Sequence, residues 1–155
     1  MFRLTQIFTR RRHDGADTSR VRFLLITPDV QFCSGLVEIA SSRGWTLLYA
    51  RDLREAVPML LSAAIPMAVY DWNPAEQNWQ PALERLATLK PRVCLLLASR
   101  VADRYLLDEV VRSGGYDLLV RSSSREDLIR KIESAWFSSI RASLERNTPE
   151  AGHGF

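Results

Sequence analysis

The stretch Pro66–Pro74, PMAVYDWNP, is an apolar run that ends abruptly in an aspartate. A short apolar run without polar alternation is typical of a strand buried on both faces of a parallel sheet. Asp71 then stands at the carboxyl end of that strand, and the following Asn73-Pro74 is typical of a turn. The stretch therefore leaves two hypotheses open, an aspartate that only forms a turn and an aspartate that carries chemistry.

Apolar runs of the same kind recur on both sides of this stretch. The runs VRFLLIT, WTLLYA, RVCLLLAS and YDLLV begin at residues 21, 45, 92 and 116, and a helical pattern follows each of the five runs. Such alternation predicts an α/β protein with a parallel sheet. Five units are too few for an eight-fold barrel, and right-handed crossovers leave few topologies. We predict a doubly wound (βα)5 three-layer sandwich with strand order 2-1-3-4-5.

Cap signals indicate where several helices begin and end. Asp29 precedes the first helical pattern, which Gly44 ends, and Asp52–Glu55 resembles a capping box that opens a helix through Ile65. Pro58 is expected to kink this second helix or to shift its start. A further capping box opens the last helix, whose apolar residues recur at four-residue steps: Leu128, Ile132, Trp136, Ile140 and Leu144.

Length and composition are those of one ordinary globular domain. The chain has 155 residues, of which 46% are apolar and 25% charged. Cys33 and Cys94 lie far apart in apolar contexts, so we expect two reduced, buried thiols. No apolar run approaches the roughly 20 residues that cross a bilayer, and the N-terminus does not resemble a secretory signal. We expect a cytoplasmic protein.

The formal charge of +3 is unevenly placed. Residues 1–22 hold six arginines against two aspartates, so the basic character belongs to the N-terminal part of the chain. We divide the chain into a basic flexible extension (1–20), a folded domain (21–146) and a flexible tail (147–155). This division weakens the case for nucleic acid or membrane binding by the folded part. An adaptor that docks through Arg10–Arg12 on an anionic surface is kept as a third functional alternative.

The residues that end the predicted strands are expected to meet at one edge of the sheet. In doubly wound sheets, functional groups gather beyond the carboxyl ends of the strands, at the switch point between strands 1 and 3. Strand 1 is followed by Thr27-Pro28-Asp29, and strands 3, 4 and 5 end in Asp71, Ser99 and Arg121. A carboxylate, a hydroxyl and a guanidinium are thus predicted to converge.

In this order and spacing, residues 21 to about 138 resemble the receiver domain of bacterial response regulators, with its CheY-like fold. The resemblance implies that Asp71 is the phosphoacceptor, that the Asn73 carbonyl helps to bind Mg²⁺, and that Ser99 is the switch hydroxyl. Arg121 takes the position of the family's lysine. The implied role is two-component phosphorelay signalling, with a histidine kinase or a downstream signalling protein as partner.

The first departure from the receiver pattern concerns the metal ligands. Receivers place two acids at the end of strand 1, where this chain has Thr27 and Pro28. Asp29 follows one residue late, at a helix N-cap position. Mg²⁺ is held by oxygen ligands in strict octahedral geometry, and phosphoryl transfer relies on metal to neutralise charge. We expect weak Mg²⁺ affinity through Asp29, Asp71 and Asn73, and slow or absent phosphorylation of Asp71.

The second departure is the arginine at the lysine position. Arginine is a planar fork that pairs with carboxylates, so Arg121 is predicted to pair with Asp71 or with a phosphoryl oxygen. An Asp71–Arg121 pair could mimic part of a charged state without phosphate. Ser122 stands where receivers have a cis-proline, and Leu118 replaces the switch aromatic, so we expect Leu118 to be plain core.

These observations favour a stand-alone, atypical receiver-like domain that is not an enzyme and acts through protein–protein contacts. The first alternative is a working receiver that accepts phosphoryl on Asp71 from a histidine kinase. A flavodoxin-like cofactor binder is the weaker alternative, because the loop TPD after strand 1 is too short for a phosphate cradle. The last helix carries a candidate partner or homodimer surface, to be weighed against simple capping of the core: Trp136, Phe137, Ile140 and Leu144.

Overall fold

A five-stranded parallel sheet forms the middle layer of this computed structural model, which describes residues 20–72, 78–89 and 92–147. The strands are β1 (Arg22–Ile26), β2 (Thr46–Ala50), β3 (Met67–Asp71), β4 (Cys94–Ser99) and β5 (Asp117–Val120). The helices are α1 (Val30–Arg43), α2 (Leu53–Ser62), α3 (Gln80–Ala87), α4 (Arg104–Arg112) and α5 (Arg125–Asn147). The strand order is β2-β1-β3-β4-β5, which confirms the predicted topology. Most of the predicted extension and tail, including Arg10–Arg12, lies outside the described residues.

Each face of the sheet buries its own apolar core. Helices α1 and α5 pack on one face, and helices α2, α3 and α4 pack on the other. The central strand β3 is buried at all five positions, as its unbroken apolar run predicts. Leu118 is buried against the second core, which confirms it as plain core.

Side-chain caps set the helix starts much as predicted. The Asp29 carboxylate accepts hydrogen bonds from the Gln31 and Phe32 amides at the start of α1, and Gly44 ends this helix with a left-handed φ of 73°. At α2, Asp52 Oδ1 accepts from the Glu55 amide at 3.1 Å. The predicted caps at the starts of α1 and α2 are therefore confirmed.

The predicted end of α2 at Ile65 is wrong. The helix ends at Ser62, and Ala63 adopts an extended backbone. Pro66 disfavours helical geometry at the residue before it, so Ile65 leaves the helix and packs into the core instead. Pro58 lies inside the helix, which still begins at Leu53, so this proline does not shift the start.

The stripe on α5 turns gradually from core to surface. Residues four apart on a helix are rotated by about 40°. Accordingly, Ile132 and Trp136 are 0% and 4% exposed, Ile140 is partly buried, and Leu144 is 63% exposed. The assignment of Trp136 to an exposed surface is therefore corrected, because its ring belongs to the core under α5. Phe137, rotated away from the stripe, is 56% exposed.

The two cysteines are free, as expected, but only partly buried. Burial raises the pKa of the Cys94 thiol to about 12 and also raises the pKa of Cys33. Both thiols therefore stay protonated at neutral pH, which makes them poor nucleophiles.

We predict opposite effects on stability from alanine at two glycines. A Cβ on Gly115 would lie 2.6 Å from Val110 Cγ1 and 3.1 Å from Leu83 Cδ2, and both of those side chains are fully buried. Gly115→Ala should therefore lower the free energy of unfolding by about 1–3 kcal/mol. A Cβ on the exposed Gly35 in α1 would have no atom within 4 Å, so Gly35→Ala should raise the free energy of unfolding by about 1 kcal/mol. Urea denaturation measures both, and a Gly115→Ala protein as stable as wild type would contradict the packing.

Candidate functional site

The carboxyl ends of the strands bring the predicted site residues together. Strand register places Asp71 opposite Ala98, directly before Ser99, and places Ser99 opposite Val120, directly before Arg121. The Arg121 amide donates to the Ser99 carbonyl at 2.8 Å, which extends the sheet pairing by one residue. Thr27 follows β1, the neighbour of β3 on the other side.

Asp71 is a buried carboxylate with few partners. It is 4% exposed, and its Oδ2 accepts a hydrogen bond from Thr27 Oγ1 at 2.7 Å and lies 3.4 Å from Arg121 Nη1. Its Oδ1 is buried and accepts no hydrogen bond from the described part of the chain. Burial raises the pKa of Asp71, against the opposing effects of the Thr27 hydroxyl and the Arg121 charge.

Thr27 faces Asp71 from the position where receivers carry an acid. The side chain is fully buried, and its Oγ1 accepts from the Asp29 amide at 2.9 Å while it donates to Asp71. The Tyr49 hydroxyl donates to the Thr27 carbonyl at 2.9 Å. A neutral donor thus stands where a second negative charge would repel Asp71.

Arg121 lies between two carboxylates, which confirms the predicted pair with Asp71. Its Nη2 donates to Asp29 Oδ2, while its Nη1 forms the contact with Asp71 Oδ2. The guanidinium carbon lies 4.3 Å from the ring centroid of Phe32, a cation–π geometry. The side chain is only 14% exposed, so this is a partly buried ionic cluster.

Asp29 performs two structural tasks at once. Its Oδ1 caps α1, which confirms the N-cap prediction, and its Oδ2 holds Arg121. The Arg121 hydrogen bond is the largest cause that lowers the pKa of Asp29, and the backbone caps add to it. Sequence reasoning missed both the Asp29–Arg121 pair and the contact of Phe32 with Arg121.

Ser99 lies at the site, but its hydroxyl bonds elsewhere. Its Oγ donates to the Val101 carbonyl and accepts from the Val101 amide, both at 3.1 Å, so it closes the turn after β4. Its proposed switch role stays a prediction. Asn73, the third predicted metal ligand, lies outside the described residues.

The arrangement does not fit a Mg²⁺ ion while Arg121 is in place. Mg²⁺ requires several oxygen ligands in octahedral geometry. Both oxygens of Asp29 are engaged, and the guanidinium puts a positive charge between the two carboxylates. Within residues 20–72, 78–89 and 92–147, no group of three or more His, Cys, Asp or Glu side chains could hold a metal ion.

Comparison with solved structures identifies the fold. The signal receiver domain of an HD domain-containing protein from Pseudomonas fluorescens is similar with a TM-score of 0.72 and 20% identity, over 87% of this chain and 99% of that one. The signal receiver domain of a putative Luxo repressor protein from Vibrio parahaemolyticus gives 0.71 and 13%, over 86% and 99%. The beryllofluoride-activated NtrC4 receiver domain dimer gives 0.67 and 20%, over 76% and 98%.

The chain therefore has the CheY-like fold of response-regulator receiver domains, as the sequence resemblance implied. No protein-family model matches the sequence, and no curated protein matches it. None of the helices in the described part of the chain has both the length and the apolar character to span a bilayer.

We predict that Asp71→Asn stabilises the protein at neutral pH. The folded pKa of Asp71 is raised above its ordinary value of 3.8, mainly by burial, so folding favours the protonated acid. The stability that this group contributes is present below pH 3.8 and is lost as the pH rises through the folded pKa. The variant should therefore melt above wild type at pH 7, and the gap in melting temperature should close as the pH falls toward 4.

Asp29→Asn is the matched control with the opposite sign. The pKa of Asp29 is lowered in the folded protein, so its stabilising effect is present at pH 7 and is lost as the pH falls below 3.8. This variant should melt below wild type at pH 7. Thermal melts of the three proteins between pH 4 and 8 measure both effects. An Asp71→Asn protein less stable than wild type at pH 7 would show that burial does not outweigh the Thr27 and Arg121 contacts at Asp71.

Proposed function

We propose that the chain is an atypical receiver-like signalling module that works through protein–protein contacts, is not an enzyme, and undergoes little or no Mg²⁺-dependent phosphorylation. The observation that carries the proposal is the Arg121 guanidinium held between Asp29 and Asp71. Its support is the receiver fold combined with this altered site. In two-component signalling, such a module would bind a histidine kinase or a downstream protein.

The chemistry of phosphoryl transfer explains why the site is unsuited to it. The transferred group needs an accessible acceptor oxygen and cations that neutralise its developing charge. Asp71 is 4% exposed, and its Oδ2 is already engaged by Thr27 and Arg121. The cation beside it is a side chain that is also paired with Asp29. A phosphoryl donor would have to displace these contacts before it reached the carboxylate.

The second candidate function is a working phosphoacceptor that receives phosphoryl on Asp71 from a histidine kinase. The observation that favours it is the Oδ1 of Asp71 at the end of β3, which has no hydrogen-bond partner among residues 20–72, 78–89 and 92–147. In that case Arg121 would serve as the cation beside the phosphoryl oxygens. The two candidates therefore differ in one measurable event, the covalent modification of Asp71.

Intact-mass measurement after incubation with a small acyl phosphate and Mg²⁺ separates the two candidates. We expect no phosphoryl-sized gain in the folded protein, because Asp71 is buried and engaged. A typical receiver labelled in parallel shows that the donor is active. A gain in wild type that Asp71→Ala abolishes would overturn the proposal and establish the phosphoacceptor.

The far end of α5 is the surface that we propose for partner contact. The helix has 23 residues, so it is about 34 Å long, whereas the strands of four to six residues span at most about 20 Å. Phe137 and Leu144 are seven residues apart, on one side of the helix, and both are more than half exposed. This spacing suits another helix, and a second copy of the chain would supply one.

We predict a concentration-dependent dimer that charge on α5 disrupts. Phe137→Glu and Leu144→Glu should each weaken self-association at least tenfold, because each would place a charge in an apolar contact. The melting temperature should change little, since both side chains are exposed. Leu61→Glu, at a 55% exposed leucine on α2 in the opposite layer, is the matched control. Sedimentation equilibrium measures association, and equal dimerisation by all four proteins would exclude this surface.

A further inference from the structure

We infer that Arg121 is a built-in cation that keeps a divalent-cation site closed, and that this latent site lies between Asp71 and Asp29. The inference rests on the proposed function, since it gives the reason for the weak metal dependence proposed above. It goes further by assigning the closure to one side chain. Removal of the guanidinium should open the site to Mg²⁺ or Mn²⁺.

The two carboxylates contact the same cation, and an ion such as Mg²⁺, which usually keeps several of its waters, could bridge them directly or through a water. Arg121 Nη2 contacts Asp29 Oδ2, and Nη1 of the same planar group lies 3.4 Å from Asp71 Oδ2. A group that small can touch both oxygens only if they face a common space. The guanidinium fills that space as a covalently attached positive charge.

The guanidinium is held in this place from several directions. The backbone amide of Arg121 donates to the Ser99 carbonyl, the guanidinium carbon lies 4.3 Å from the Phe32 ring centroid, and the side chain is 14% exposed. Arg100 offers the contrast, because its side chain is 60% exposed and its Nη2 lies 3.9 Å from Asp29 Oδ2. Of these two arginines, only Arg121 bridges the carboxylates.

Without the guanidinium, the same residues would present ligand oxygens to an ion. Asp29 Oδ2 and Asp71 Oδ2 would lose their shared cation, and Asp71 Oδ1 already lacks a hydrogen-bond partner among the described residues. The Thr27 hydroxyl, which bonds to Asp71, adds a neutral oxygen. Carboxylate, hydroxyl and water oxygens suit Mg²⁺ and Mn²⁺. Two facing carboxylates would gain most from such an ion, since their mutual repulsion would then be removed.

Titration of the full-length protein with Mn²⁺, followed by the electron paramagnetic resonance signal of the free ion, tests the inference. Arg121→Met keeps much of the apolar stem of the side chain and removes the charge. We expect it to bind one equivalent of Mn²⁺ at least tenfold more tightly than wild type, with Mg²⁺ competing. The double variant Arg121→Met/Asp71→Asn should lose this binding. Arg100→Met, which removes a charge near Asp29 but leaves the bridge, should behave as wild type.

Two outcomes would overturn the inference: tight binding of one Mn²⁺ by wild type, or no gain in a folded Arg121→Met protein. If Arg121→Met does not fold, Arg121→Lys is titrated with Mn²⁺ instead. The same gain in affinity is expected, because one ammonium lacks the planar fork that bridges both carboxylates. A failure here is distinct from a failure of the proposed function. Metal binding by wild type without phosphoryl labelling refutes only the closed site, whereas labelling of Asp71 without metal binding refutes only the proposed function.

Discussion

A carboxylate at the end of a fully buried central strand is the constraint on which the site depends. Every residue of β3 is buried, and its last residue is Asp71. Burial of a lone carboxylate is costly unless hydrogen bonds and counter-charges surround it. Thr27 from the end of β1 and Arg121 from the end of β5 meet that need, and the 2-1-3-4-5 strand order is what places both within reach.

The same requirement links the site to its surroundings. Because Arg121 is itself partly buried, its charge needs more than Asp71, and Asp29 and the Phe32 ring supply the remaining contacts. Both belong to the start of α1, so the ionic cluster ties the first helix to the end of β5. Loss of Arg121 would leave both carboxylates without their shared cation, and removal of one partner from a buried ion pair costs about 3–5 kcal/mol. Loss of the Asp71 charge alone would leave Arg121 paired with Asp29. The cluster thus holds the loops at this edge in one arrangement.

The fold could be predicted from sequence because its signals are local and repeated. Five buried runs alternate with helices, and chain direction and handedness leave few ways to arrange them. The strand-end residues followed from the same logic, since the strand order places Asp71, Ser99 and Arg121 at one edge. The Asp71–Arg121 pair was predictable too, because a buried carboxylate and a guanidinium at the ends of the two strands that flank β4 attract each other.

The sequence could not show which polar side chains at the site bond to one another. Asp29 was expected either to cap the first helix or to bind a metal. In the structure, its Oδ1 caps α1 and its Oδ2 accepts a hydrogen bond from Arg121. The Ser99 hydroxyl bonds to Val101, two residues on in the chain. The stripe on α5 was ambiguous because a four-residue step drifts around the helix, which leaves Trp136 inside and Leu144 outside.

Under the proposed function, the identity of the cation at the site would decide what kind of signal the domain carries. A diffusible ion comes and goes with its concentration, so a site built around it can exist in two states. The Arg121 guanidinium is attached to the chain next to β5. Its presence at the site therefore does not depend on the concentration of an ion in solution. Under the proposed function, a receiver fold with such a site would present a constant surface to its partners. Its regulation would then come from whichever partner covers that surface rather than from chemistry at Asp71.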